Sequence, residues 1–280
     1  QNLNTSVTFC PGTFTAGNIT FAANNVNLTC DSTIVQLSTY SNYENNPILS
    51  LTNNNNSAII GCILNPYGSY NRGIYLNNVS NIKIEGINIT SQGQNFIGSG
   101  IYGENLQRIS INNSFFSNHD NIYLSNGNNS VIYNNTFLGS GTTVSVSGNV
   151  LIGTTGITLK NSYNNTIINN TFYGLTLFAL KLLVDGSNNK LYYNNFSSDF
   201  IKINYNNLNI NNTFNTSANL SGIITSQGNE WSEYCDKGSD TNGDGYADAS
   251  TAGATDWPYS KNTSTKISND NYGKVIDWAP

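Results

Sequence analysis

The sequence predicts an all-β fold, a right-handed parallel β-helix of about eight or nine coils that ends in an irregular C-terminal tail. Three observations support this prediction. Short segments with alternating apolar residues recur along the chain, and no segment has helical periodicity. Asparagine, glycine and serine fill the turns between these segments. Hydrophobic residues make up 38% of the chain and charged residues only 10%, so the chain can bury a core and is not disordered.

The repeat is clearest at the aliphatic residue that opens each copy. These residues are Ile74, Ile101, Ile122, Ile157, Leu180 and Ile201, and successive ones lie 27, 21, 35, 23 and 21 residues apart. Such a period with two or three short strands is typical of one coil of a parallel β-helix. A leucine-rich repeat is the main rival, but it needs leucines at fixed spacings, which these copies lack.

Within the coils, a doublet of asparagines precedes a phenylalanine. In three copies an aliphatic residue lies five positions before the phenylalanine, over Ile132–Phe137, Ile167–Phe172 and Leu191–Phe196. If both ends face inward, the third position between them also faces inward. We therefore predict a stacked amide ladder at Asn135, Asn170 and Asn194.

The domain organisation follows from where the repeat stops. We assign residues 1–226 to the β-helix, with an N-terminal cap over about residues 1–27 and an insertion over about 138–155. Residues 227–280 form the irregular tail with its calcium loop. An exposed coil end presents unpaired strand edges, which the cap and the tail are expected to cover.

Composition excludes several partners and predicts a location. The net charge is −5 and the 11 Lys and Arg residues form no basic stripe, so we expect no nucleic-acid binding. No run of about 18 apolar residues occurs, so we expect no membrane span. The chain starts at Gln1 without a methionine, from which we expect a removed signal peptide and an extracellular or cell-surface location.

The four cysteines are expected to form disulfides in that location. They are Cys10, Cys30, Cys62 and Cys235. Of the three possible pairings, we favour Cys10–Cys30 with Cys62–Cys235, because the first pair lies about one coil apart.

Acceptors for N-linked sugar are frequent, and several are expected to carry covalent glycans. The Asn-x-Ser/Thr sites are Asn4, Asn18, Asn27, Asn55, Asn78, Asn88, Asn112, Asn128, Asn134, Asn164, Asn169, Asn195, Asn211, Asn215, Asn219 and Asn262. The predicted register turns Asn134 and Asn169 outward, beside the inward ladder residues. The competing interpretation is that these asparagines only form turns.

The tail contains a calcium motif. Oxygen-bearing residues follow the spacing of the first part of an EF-hand loop, with Gly245 at the sixth position. The predicted calcium ligands are Asp240, Asn242, Asp244, Tyr246 (through its carbonyl) and Asp248. Thr251 stands where a bidentate Glu is usual, so Asp256, Asp236, Glu233 or water must complete the shell.

The coils resemble those of NosD-type right-handed β-helix proteins, which are carbohydrate-binding or sugar-hydrolase-like members of the pectate-lyase superfold. The tail "GNEWSEY…DTNGDGYAD…WPYS" resembles the ending that follows such repeats in archaeal surface proteins. Its acidic core is similar to dockerin and thrombospondin type-3 calcium loops. The resemblance implies a fold and an extracellular setting, and the superfold hosts many functions.

We expect a non-enzymatic, structural surface glycoprotein that self-associates into a filament, sheath or surface layer. A glycan-binding or adhesin module is the alternative, because Tyr75, Tyr102 and Tyr123 face outward by alternation and could form a sugar-stacking surface. The competing interpretation, which we favour, is ordinary stacking of these aromatic rings between coils.

A polysaccharide lyase or epimerase is the second alternative. It needs a base and a charge-neutralising group near the sugar carboxylate. The weak catalytic candidates are Glu104, Arg108, His119 and Asp120. We do not expect copper delivery, because the chain has no Met and a single His to serve as ligands.

Overall fold

The computed structural model describes residues 1–37, 46–66, 71–90, 98–118, 120–139, 154–183 and 186–197. It also describes the backbone of residues 144–146, 150–152, 201–204, 216–220, 223–227, 230–231 and 267–269. These residues form strands and turns and contain no helix. The prediction of an all-β parallel β-helix is confirmed.

The strands follow one another around the coils. They are β1 (Asn2–Leu3), β2 (Val7–Phe9), β3 (Gly12–Ala16), β4 (Ile19–Phe21), β5 (Asn27–Cys30), β6 (Thr33–Leu37), β7 (Pro47–Thr52), β8 (Ala58–Ile60), β9 (Ile63–Asn65), β10 (Arg72–Glu85), β11 (Asn88–Thr90), β12 (Ser99–Asn112), β13 (Phe115–Ser117), β14 (Asp120–Asn128), β15 (Val131–Tyr133), β16 (Thr136–Leu138), β17 (Val144–Val146), β18 (Val150–Ile152), β19 (Thr155–Lys160), β20 (Thr166–Ile168), β21 (Thr171–Tyr173), β22 (Phe178–Leu183), β23 (Lys190–Tyr192), β24 (Asn195–Ser197), β25 (Ile201–Asn204), β26 (Thr216–Leu220), β27 (Ile223–Gln227), β28 (Glu230–Trp231) and β29 (Ile267–Asn269).

Two long parallel sheets run along the coil axis. The first has the order β1-β4-β7-β10-β12-β14-β19-β22-β25-β29, and the shorter strands β2, β5, β8, β15, β20 and β23 extend it around a corner. The second has the order β28-β24-β21-β16-β13-β11-β9-β6-β3. Two antiparallel hairpins, β17–β18 and β26–β27, stand apart from this pattern. The β17–β18 hairpin lies within the segment that we predicted as an insertion.

The register confirms the repeat read from the sequence. The opening aliphatic residues are direct partners in adjacent strands, in the order Ile74, Ile101, Ile122, Ile157, Leu180 and Ile201. The first five are fully buried. Stacking of identical positions therefore produces one continuous apolar column, which is how a solenoid buries a core that a single coil cannot.

A phenylalanine stack and an amide ladder fill the interior beside this column. The rings of Phe116, Phe137, Phe172 and Phe196 stack with centroid separations of 5.2, 4.8 and 4.9 Å. The predicted ladder at Asn135, Asn170 and Asn194 is confirmed. Each Nδ2 donates to the Oδ1 of the next rung at 3.0 Å, from Asn135 to Asn170 and from Asn170 to Asn194. All three asparagines are buried, so these bonds satisfy groups that water cannot reach.

The interior contains a second amide ladder that the sequence reading missed. Asn165 donates from Nδ2 to Oδ1 of Asn189 at 3.0 Å, and the backbone N–H of Ser130 donates to Oδ1 of Asn165 at 2.9 Å. Asn165 and Asn189 are both buried. Both residues are the second Asn of a doublet, in "NSYNNTI" and "DGSNNKL", and this recurrence could have indicated the second ladder.

The predicted disulfide pairing is wrong. The structure has a Cys30–Cys62 bond with Cα atoms 4.8 Å apart, and Cys10 is free and exposed. The register places Phe9, not Cys10, opposite Cys30, so Cys10 falls one position outside the stack. Cys235 lies outside the described residues. A disulfide is typical of proteins from oxidising compartments such as the cell exterior or the periplasm.

The described part of the chain contains no helix long and apolar enough to cross a bilayer.

Candidate functional site

A column of tyrosines lies on the outer face of the first sheet. Tyr75, Tyr102 and Tyr123 occupy one register position on β10, β12 and β14, next to buried aliphatic residues, so alternation turns them outward. Their rings stack with centroid separations of 6.1 Å from Tyr75 to Tyr102 and 4.9 Å from Tyr102 to Tyr123. We call these three residues the tyrosine column. Their outward position agrees with the alternation in the sequence, and their rings lie face to face, as in ordinary aromatic stacking between coils.

Arg72 lies over this column. It is the first residue of β10, and its guanidinium carbon is 3.7 Å from the ring centroid of Tyr102 and 5.2 Å from that of Tyr75. A flat guanidinium on an aromatic face is a favourable cation–π contact that holds the charge in place. Burial lowers the pKa of Arg72, and the neighbouring Tyr102 opposes this effect. A guanidinium remains protonated at any physiological pH.

A carboxylate completes the cluster. The hydroxyl of Tyr102 donates to Oε1 of Glu104 at 2.6 Å, which is a short, charge-assisted hydrogen bond. Burial, together with the bond to Glu104, raises the pKa of Tyr102 from 10.0 to about 12. Burial also raises the pKa of Tyr123. Tyr102 therefore keeps its proton at neutral pH and is a donor, while Glu104 is the acceptor beside it.

The four weak catalytic candidates do not form one constellation. Glu104 belongs to the cluster just described. Arg108 lies at an exposed turn with φ of 54°, where its Nε donates to Oδ1 of Asn81 at 2.6 Å. Asp120 begins β14 in register with Ser99 of β12 and raises the pKa of Tyr123 through its charge. His119 lies outside the described residues.

The sequence reading missed Arg72. The residue lies three positions before Tyr75 in "NRGIY", at the start of the same strand. Strict alternation from the outward Tyr75 would place Arg72 on the opposite face, so alternation does not indicate this contact.

The predicted sugar acceptors differ in exposure. Those with exposed side chains are Asn4, Asn18, Asn27, Asn78, Asn134, Asn164 and Asn169. Partly buried ones are Asn55, Asn88, Asn128 and Asn195. Asn211, Asn215, Asn219 and Asn262 lie outside the residues whose side chains are described. The outward orientation predicted for Asn134 and Asn169 is confirmed, and both belong to an outer ladder in which Asn169 donates to Asn134 at 3.2 Å.

The prediction of an acceptor at Asn112 is corrected. Its side chain is 1% exposed, and its Nδ2 donates to Glu85 and to the hydroxyl of Tyr133. A sugar on this nitrogen would have to displace both partners and open the coil surface. Asn112 is therefore not an accessible attachment site.

Metal ligands were predicted only in the tail. Asp240, Asn242, Asp244, Tyr246 and Asp248 all lie outside the described residues. Within the described ranges, no group of three or more His, Cys, Asp or Glu side chains is arranged to hold a metal ion.

No protein-family model matches the chain, and no curated protein matches it. Among solved structures it resembles the alginate lyase from Paenibacillus sp. str. FPU-7, with a TM-score of 0.52 and 12% identity over 81% of this chain and 88% of the lyase. A mutant of the periplasmic alginate epimerase AlgG matches with a TM-score of 0.48 and 13% identity, over 70% of this chain and 53% of the epimerase. DFA-IIIase from Arthrobacter chlorophenolicus A6, without its lid, matches with a TM-score of 0.33 and 15% identity over 74% of this chain and 59% of that chain. The chain thus spans about half the length of the epimerase.

The similarity to the lyase corrects the expectation that the chain is not an enzyme. The lyase match covers most of both chains, so this coil architecture is one that a polysaccharide-active enzyme uses. The expected role as a filament subunit gains no support from the matched structures. At 12% identity the match establishes the fold alone, because function resides in the side chains of a site.

Proposed function

We propose that this protein is a polysaccharide lyase or epimerase that acts on an acidic, uronate-containing polysaccharide. The observation that carries the proposal is the cluster on the outer face of the first sheet. Arg72 lies 3.7 Å from the Tyr102 ring, and Tyr102 donates to Glu104 at 2.6 Å. The cation of Arg72, the proton donor Tyr102 and the carboxylate of Glu104 thus lie side by side at the tyrosine column. The lyase that shares this fold is named for alginate, which is a polyuronate.

Each group has a role in the proposed reaction. Arg72 binds the sugar carboxylate and stabilises the negative charge that develops there when the adjacent C5–H bond breaks. The carboxylate of Glu104 takes that proton, and the electron pair of the C–H bond becomes available at C5. The tyrosine rings cover one another's faces, and Arg72 lies over Tyr102, so the column presents its outer ring edges to the sugar chain along the coil axis.

The fate of the C5 electron pair separates the two reactions. In a lyase, the pair forms the C4–C5 double bond, the C4–O bond breaks, and Tyr102 donates its proton to the leaving oxygen. In an epimerase, C5 instead takes a proton on the opposite face and the chain stays intact. Because its pKa is raised to about 12, Tyr102 is protonated at neutral pH and can donate to the leaving oxygen of the lyase reaction. Tyr102 and Glu104 lie on the same side of the sugar, so in the epimerase reaction the proton on the opposite face comes from water.

The test is direct incubation of the full chain with alginate and with polygalacturonate. A lyase produces unsaturated chain ends that absorb in the ultraviolet, and an epimerase changes the proton NMR signals of the uronates without shortening the chain. We expect one of these two signals. Binding without either signal would favour the glycan-binding alternative, and neither binding nor turnover of both polymers would refute the proposal.

We also propose that the tail binds calcium through Asp240, Asn242, Asp244, Tyr246 and Asp248. Alternating oxygen ligands around a glycine turn support the proposal, since calcium takes six to eight oxygens. We expect calorimetric titration of the chelator-treated chain to give one site, and Asp244→Ala to weaken it at least tenfold, because a carboxylate ligand is lost. Asp31→Ala, which changes a carboxylate in the coils, is the control. An unchanged affinity in Asp244→Ala would contradict this assignment.

A further inference from the structure

A polar groove of about 620 Å³ runs along the corner where the first sheet bends, beside the tyrosine column. One wall is a row of asparagines, Asn53, Asn78, Asn105 and Asn126, one from each of four successive coils. All four have φ between 51° and 54°, so the backbone turns sharply at each of them. Asparagine tolerates this left-handed conformation and, unlike glycine, supplies an amide there.

The opposite wall lies two residues further along each strand. It consists of Asn55, Ser80, Gln107 and Asn128, which are paired in register from coil to coil. Between the walls, the register position is filled by Val79 and Leu106 in the two middle coils. Both side chains are 2% exposed and point into the core, so the surface of the groove is set mainly by its two polar walls. We call it the amide groove.

The walls keep hydrogen-bonding capacity for a ligand. Asn78 donates from Nδ2 to Oδ1 of Asn53 at 2.6 Å, and Asn126 donates to Asn105 at 3.0 Å. An amide has two N–H donors and two acceptor lone pairs, so each of these contacts uses only part of what the two side chains offer. Gln107 is exposed in the middle of the other wall.

The lining contains amides, one hydroxyl and apolar side chains, and no charged residue. Side-chain amides present a donor and an acceptor together, which matches a pair of neighbouring sugar hydroxyls. A phosphate or a uronate would find no cation in this groove. The chemistry therefore selects an uncharged, hydroxyl-rich ligand.

We propose that the amide groove binds uncharged sugar residues, next to the uronate that Arg72 holds. Three residues separate Tyr75 from Asn78, which is roughly 10 Å along a strand, so one saccharide can occupy both surfaces. The substrate is then a heteropolysaccharide in which neutral sugars flank or branch from a uronate. The choice of a uronate-containing substrate rests on the proposed function. The binding of neutral sugars in the amide groove does not depend on that function.

Three predicted glycan acceptors, Asn55, Asn78 and Asn128, line the same groove. A glycan attached to any of them would fill the space that the ligand needs. The binding experiment therefore uses the full chain produced in a bacterial host that lacks N-glycosylation.

Calorimetric titration with cellohexaose, mannohexaose and xylohexaose tests the proposal. We expect at least one of them to bind the wild-type chain. Gln107→Ala should weaken that binding about five- to tenfold, the effect of losing one or two hydrogen bonds. Gln107→Trp should abolish it by filling the groove. Gln36→Ala removes a glutamine side chain from the second sheet, outside the groove, and should leave hexasaccharide binding unchanged.

Absence of binding for all three hexasaccharides, or equal binding by the wild-type chain and both Gln107 variants, would overturn the proposal. The same titrations with Arg72→Ala separate it from the proposed function. Neutral hexasaccharides should bind this variant as they bind the wild type, whereas an alginate hexasaccharide should bind it more weakly. Absence of alginate turnover by the wild-type chain, together with binding of the neutral hexasaccharides, would refute the enzymatic proposal and leave the amide groove standing.

Discussion

Arg72→Ala is expected to lower kcat/KM on the acidic polysaccharide by about 100-fold or more, which is the usual effect of removing one preorganised group that stabilises developing charge. The guanidinium is half-buried against the rings of Tyr75 and Tyr102, so its position is fixed before substrate arrives. Steady-state kinetics with alginate or polygalacturonate measure the effect. Because the carboxylate charge grows as the C5–H bond breaks, most of the loss should appear in kcat rather than in KM.

Two further variants make this prediction specific. Arg72→Lys keeps the charge but not the stacked planar group, so it should retain activity between those of Arg72→Ala and the wild type. Arg108→Ala removes an exposed guanidinium whose partner is Asn81, away from the tyrosine column, and should leave kcat/KM unchanged. A kcat/KM for Arg72→Ala equal to that of the wild type, with the fold intact by circular dichroism, would exclude Arg72 from the reaction.

The repeat was predictable because a solenoid places equivalent sequence positions on top of one another. Alternation around Ile101 and Ile122 fixed which residues face the core, and the structure pairs these two residues directly. The same periodicity placed Asn135 and Asn170 inside and Asn134 and Asn169 outside. Local pattern was sufficient here, because every coil repeats the same environment.

The disulfide was not predictable, because it depends on the register between coils of unequal length. Cys10 and Cys30 are 20 residues apart, close to one coil, and that spacing pointed to a bond. Cys30 and Cys62 are 32 residues apart, because a long connection intervenes between β6 and β7. A long connection increases the number of residues between two cysteines without moving them apart in space. The spacing of cysteines in the sequence therefore does not show which of them are neighbours in adjacent coils.

The site was predictable only in part for a similar reason. Alternation predicts that the tyrosines face outward. It therefore predicts the tyrosine column, and it places Glu104, two residues after Tyr102, on the same outer face. The stacking of Arg72 on Tyr102 is a contact between adjacent coils, β10 and β12, and requires the register between them. Arg108, chosen because it lies near Glu104 in sequence, is separated from it by a turn at Asn105.

Asn170→Ala is expected to destabilise the protein by about 3 kcal/mol or more, because several buried partners lose their bonds at once. Oδ1 of Asn170 accepts from the backbone N–H and from Nδ2 of Asn135, and its Nδ2 donates to the carbonyl of Ile132 and to Asn194. Alanine satisfies none of these groups, and water does not reach them. Urea denaturation followed by circular dichroism should show a lower midpoint with a similar slope.

The neighbouring Asn169→Gly is the matched control, since it alters the other member of the same doublet. Asn169 is exposed, has φ of 55°, and gives one hydrogen bond to Asn134 in the outer ladder. Glycine adopts positive φ without steric cost, so the stability should change by less than about 0.5 kcal/mol. Equal destabilisation by both variants would mean that the inner ladder contributes no more than an exposed turn, and that the coils are held together by their apolar column and phenylalanine stack alone.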